Sequence, residues 1–134
     1  MAEIHVPISP GELIDKLTIL EIKSERIADE VKVRNVRREL ELLTKIQSQQ
    51  VPDSEPLRIL QQALKDVNTQ LWDIEDEVRL RGAENGVSPR FIELARAVYT
   101  KNDERFQLKR QINELVGSPL VEEKSYGSEP LPPL

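Results

Sequence analysis

The chain contains no cysteine and a single histidine, His5. Disulfides, thiol nucleophiles and thiolate metal sites are therefore excluded. One histidine without a second ligand near it in sequence is a poor metal candidate, and neither a metal nor a cofactor is expected. Glycine is scarce, with 5 residues in 134, and no glycine-rich phosphate loop is present. No serine or threonine has a fixed His and Asp partner, so a hydrolase triad has no support. Apolar runs are only a few residues long, far short of the ~20 a membrane span needs. The segment Met1 to Pro7 has neither a basic start nor a long apolar stretch, so it does not read as a signal peptide. A cytoplasmic location is the expectation. The net charge of −5 opposes phosphate backbones, so nucleic acid is not an expected partner.

What remains is helical spacing. Aromatics are only 4 % while hydrophobic residues reach 38 %, the balance of an aliphatic helical core. Leu57, Leu60, Leu64, Val67, Leu71, Ile74 and Val78 follow one another in steps of three and four. That period lays one apolar stripe along a partner helix.

The chain opens on an extended arm, where Ile4, Val6 and Ile8 alternate with Glu3, His5 and Pro7. Ser9-Pro10-Gly11-Glu12 then marks a helix start: a capping serine, a proline at the first helical position and a glutamate three after the cap. Leu13, Leu17, Leu20, Ile27 and Val31 make the seam of helix 1, and Ile14, Ile19 and Ile22 widen it toward a second neighbour. Between Asp29 and Val33 the phase slips onto Val33, Val36, Leu40 and Leu43. A break is expected there, followed by a second helix to about Ser48. One long bent helix is the alternative.

Two prolines and an Asp-Ser cap in Val51 to Pro56 begin helix 3, which runs to about Arg81 with Gly82 following. Asn85-Gly86-Val87 turn the chain, and Ser88-Pro89 open helix 4, which reaches Val116 before Gly117-Ser118-Pro119. The expected architecture is all-α: an antiparallel bundle of about four helices over residues 1–119, with helices 3 and 4 as the main hairpin. Residues 120–134 carry Pro130, Pro132 and Pro133 and read as an extended or disordered tail.

Helix 4 is the helix whose seam is broken by long polar side chains. Arg105 lies on both of its apolar tracks, with Asn102 and Lys109 beside it. A guanidinium in such a place needs a carboxylate or an anion, because its desolvation otherwise costs several kcal/mol. A hairpin about residues 82–88 sets Arg105 level with Asp66, and Asn102 level with Asn68 and Thr69. The favoured expectation is a structural polar layer of Asp66 and Arg105 that fixes helix register. An anion pocket inside the bundle is the competing one. Trp72, Glu75, Asp76 and Arg79 form a second polar group on helix 3, and Lys32, Arg34, Arg37 and Arg38 a basic cluster on helix 2. Both fit solvated faces better than sites.

Several strings together resemble a family of uncharacterised bacterial helical proteins. They are Pro10 to Lys23, Leu71-Trp72 with Ile74-Glu75-Asp76, Ala95 to Tyr99 with Asn102-Asp103, and Glu122 to Tyr126. The likeness spans nearly the whole chain. Domains of this kind occur near or fused to enzymes that build cell-surface polysaccharide and lipopolysaccharide, glycosyltransferases among them. The resemblance therefore implies a pathway rather than a reaction. It adds weight to Asp15, Lys16, Tyr99, Asn102 and Asp103, which join Arg105 as candidate ligand-binding residues. It also implies that the tail string docks on the bundle or on a partner.

Two function classes follow. One is a non-enzymatic interaction or accessory module, with a protein partner or a homodimer contact through helix 1. The other is a bundle that binds or converts an anionic small molecule, such as a phosphorylated sugar, a sugar nucleotide or a chorismate-like dianion. Helical chorismate mutases resemble this chain in being all-α and cysteine-free, and Arg105, Lys109 and Lys16 would be the cations of such a site.

Overall fold

The computed structural model describes residues 2–82 and 87–125, which form four α-helices and no strand. They are α1 (Pro10–Arg26), α2 (Glu30–Gln50), α3 (Glu55–Gly82) and α4 (Pro89–Val116). Each start carries a side-chain cap. Ser9 Oγ accepts from the Glu12 N–H at 3.1 Å, Ser54 Oγ from Leu57 at 3.2 Å and Ser88 Oγ from Phe91 at 3.1 Å. These bonds satisfy donors that have no partner inside the first turn.

The phase slip after α1 is a true break. Ile27 is extended and closes α1, and Asp29 caps α2 by accepting from the Val31 and Lys32 N–H groups, both at 3.0 Å. Val31, which the spacing assigned to the α1 seam, is exposed, and α2 continues to Gln50. Gly82 is the last residue of α3 rather than a residue beyond it. The expected turn residues Asn85 and Gly86, like Tyr126 and the tail prolines, lie outside the described residues.

α1 is the central element and contacts α2, α3 and α4. Its wide stripe is consumed there: Ile14 and Ile22 are fully buried and Ile19 partly so. Ile14 and Ile22 of that stripe are thus covered by this chain's own helices. Leu13, Ile14, Leu17, Val51, Leu57, Leu64 and Ile112 form the core, with Leu40, Leu43, Leu60 and Leu108 packed against it. α2 touches this core along one narrow side, and Val33 is its only fully buried residue. Its basic cluster, Lys32, Arg34, Arg37 and Arg38, is exposed.

α3 and α4 form the long antiparallel hairpin. Arg90 holds Glu77 through two hydrogen bonds of 3.0 and 3.1 Å near its turn. Leu64 is 0 % exposed at the middle of the α3 seam. Leu64→Ala should cost about 2–5 kcal/mol through lost burial and the cavity left behind. Urea unfolding measures it, and a loss below about half a kcal/mol would place that seam against nothing. No helix among the described residues is long and apolar enough to cross a membrane.

The chain does not leave the bundle at the end of α4. Gly117 adopts a left-handed conformation, φ 77°, which a side chain would strain. Its N–H and that of Ser118 both donate to the Asn113 carbonyl at 2.9 Å. Ser118 Oγ then donates to the Leu120 carbonyl and accepts from its N–H. The reversal sends residues 120–125 back along α4, so this part of the expected tail is extended and docked.

Candidate functional site

The polar layer exists, but its carboxylate comes from another helix. Asp15 of α1, 1 % exposed, receives Arg105 through two bonds: Nε to Oδ1 at 2.9 Å and Nη2 to Oδ2 at 2.5 Å. Asn68 of α3 donates Nδ2 to Asp15 Oδ1 and to Thr18 Oγ1, both at 2.9 Å. Thr18 Oγ1 donates to the Asp15 carbonyl at 2.8 Å. Three helices are thereby tied at one level. Asp66, the expected partner, is exposed on the outer face of α3 and accepts from Gln62 on its own helix. Arg105 turns toward α1 instead. A two-helix projection cannot show that direction.

Four residues toward the C-terminus of α4, Lys109 repeats the theme. Its side chain is 8 % exposed, and its ammonium sits 2.8 Å from Glu12 Oε2 and 2.7 Å from Glu122 Oε2. Glu12, expected to complete the capping box, is turned to this lysine instead. Next to it α1 and α4 meet at Gly11, whose N–H donates to Asn113 Oδ1 at 2.7 Å. A methyl group on Gly11 would lie 2.4 Å from the Lys109 carbonyl oxygen, so the close approach requires glycine.

The tail completes the site. Lys124 pairs with Asp103 and lies over the Phe106 ring, 5.8 Å from its centroid. Beside it opens a groove of about 990 Å³ walled by Val98, Tyr99, Asn102, Arg105, Lys109 and residues 122–124. Asn102 bonds the Val98 carbonyl at 3.0 Å and reaches Arg105 Nη1 only at 3.5 Å. Tyr99, 60 % exposed, stands at the rim.

Arg105, Asn102, Tyr99 and Asp103 thus line one groove, and Asp15 lies behind it on Arg105. Lys16 is exposed on α1 and does not line the groove. Trp72 is half-buried on α3, while Asp76 and Arg79 are exposed. Gly11, Thr18 and Asn113 were not legible as members of the site, and Asn68 was placed only level with Asn102. The one available signal was a small residue in the first turn of a strongly capped helix. Among the described residues, every fully buried side-chain nitrogen and oxygen has a hydrogen-bond partner.

The charges reinforce the geometry. The hydrogen bonds that Arg105 donates to Asp15, then the Asp15 charge, hold the Arg105 pKa above its ordinary value against the opposing effect of burial. For Lys109, burial is the largest single influence and pushes down, but Glu12 and Glu122 together outweigh it and the net shift is upward from 10.5. A folded pKa above the unfolded one contributes stability that is complete below 10.5 and is lost as pH rises through the folded value. Denaturant titrations at pH 9 and above pH 11 should therefore show an alkaline loss that is smaller in Lys109→Met. Lys65, raised chiefly by Glu25, contributes to the same limb in both proteins, so the difference isolates Lys109. Equal losses would mean the lysine is solvated.

Residues 4–133 match the model of a family of unknown function, DUF6165, and the chain belongs to that family. No curated protein and no solved structure matches it.

Proposed function

We propose that this member of DUF6165 is a non-enzymatic interaction module that serves the enzymes of cell-surface polysaccharide biosynthesis in a bacterial cytoplasm. The pathway rests on the family resemblance of the strings around Asp15, Trp72 and Tyr99. The class rests on one observation: Arg105 is consumed by Asp15 in a network shared with Asn68 and Thr18. An enzyme of dianion chemistry keeps its cations available for the developing charge of substrate. Here all three cations in the groove wall, Arg105, Lys109 and Lys124, already hold carboxylates of their own chain.

The anion-pocket reading draws on the volume of the groove and on Arg105 and Lys109 in its wall. Thermal unfolding separates the two. Inorganic phosphate, glucose 1-phosphate and UDP-glucose at millimolar concentration should leave the wild-type Tm unchanged. A rise that disappears in the Arg105→Met/Asp15→Leu double variant would overturn the module reading. The pathway is tested in the source cell, where deleting the gene should alter the amount or chain length of surface polysaccharide. An unchanged profile would remove that assignment.

A further inference from the structure

We infer that the strip of α4 from Lys109 to Asp103 is a docking site for an extended peptide segment of acidic-x-basic pattern, and that residues 120–125 are its built-in occupant. The inference deepens the module reading by naming the surface and the kind of partner. In an extended chain, residues i and i+2 point the same way. Glu122 and Lys124 do so, and both reach α4: Glu122 to Lys109, Lys124 to Asp103. Lys109 and Asp103 are six residues apart on one helix, a rise of about 9 Å. Two residues of extended chain advance about 7 Å, and the long Glu and Lys side chains close the gap. The segment therefore reads α4 antiparallel by charge order, acid at Lys109 and base at Asp103.

Lys109 does not depend on the segment for its neutralisation. Glu12 satisfies it from α1, so Glu122 is a second carboxylate that can be exchanged. Asp103 is largely exposed and Lys124 has the Phe106 face beneath it. Side-chain charges and a ring face are among the contacts that hold the segment, and any chain with the same charge order can reproduce them. The groove continues past the segment to Tyr99, which gives an incoming peptide apolar surface to cover. Because the built-in occupant is tethered, it competes at the high effective concentration of an intramolecular ligand.

The test is fluorescence anisotropy with a labelled peptide of the sequence of residues 118–125. The full-length Glu122→Ala/Lys124→Ala variant, whose own segment carries neither charge, should bind it about tenfold more tightly than wild type, as two charge pairs allow. Adding Asp103→Lys to that variant should weaken binding, and a peptide with Glu at the Lys124 position should restore it. Asp103 is exposed, so this change does not threaten the fold. Equal binding to wild type and variant, absence of binding at millimolar peptide, or no rescue by the charge-swapped peptide would each overturn the proposal. Any of these results leaves the module reading standing, since that depends on the anion and deletion experiments.

Discussion

Arg105→Met is expected to destabilise the bundle by about 3–5 kcal/mol, the cost of leaving a buried charge without its partner. The two ends of this pair are unequally placed. The Arg105 side chain keeps 30 % of its surface at the groove, whereas Asp15 keeps 1 %. Deleting the arginine strands a carboxylate that water cannot reach and that only Asn68 still serves through its side chain. Asp15→Leu leaves a guanidinium that can turn into the groove, so its cost should be smaller. The double variant Arg105→Met/Asp15→Leu should recover most of the loss, because an apolar pair of similar volume avoids both desolvations. Denaturant unfolding of the four proteins gives the coupling directly. A cost below about 1 kcal/mol for Arg105→Met would mean that this pair does not anchor the fold.

Gly11→Ala should cost about 2–4 kcal/mol, although helix propensity alone favours alanine by about 1 kcal/mol. The added methyl would meet the Lys109 carbonyl oxygen at 2.4 Å and Asn113 Oδ1 at 2.9 Å. The first of these is backbone, so relief requires α1 and α4 to separate. Overpacking of this kind costs about 1–3 kcal/mol, and stretching the bond from Gly11 to Asn113 adds to it. Separation would also draw Glu12 off Lys109 and Asp15 off Arg105, which lie on the same seam. Gly82→Ala is the control. Among the described residues its methyl would meet only the Phe91 ring at 3.7 Å, an ordinary contact. That variant should be neutral or slightly more stable. A neutral Gly11→Ala in thermal unfolding would contradict the close approach of the two helices.

The all-α class and the positions of the helices were written in the sequence because local chemistry decides them. Ser9-Pro10, Ser54 and Ser88-Pro89 start helices by satisfying donors within three residues of themselves. The run from Leu57 to Val78 announces its buried face by period alone. The slip near Asp29 marked a break, and the cap bonds of Asp29 explain it.

The site was legible in part. Arg105 stood out because a guanidinium on two apolar tracks must be compensated, and the compensation is there. Asp15 was singled out by resemblance, and Arg105 by its place on helix 4. Pairing them required knowing that α1, not α3, faces that side of α4. The tail was ambiguous for the same reason. Its composition suggests an extended segment, while Gly117 and two charge pairs fold it back.

Sequence by itself determined where each helix begins, which side of it is apolar and that one arginine would need an anion. These depend on neighbours within a turn or two. Only the tertiary structure decided that Asp15 rather than Asp66 supplies that anion, that Gly11 is where two helices touch, and that Glu122 returns to Lys109. Those choices join residues 90, 102 and 13 positions apart. The angle at which one helix crosses another settles the first two and the direction of the chain after Gly117 the third, and no local period encodes either.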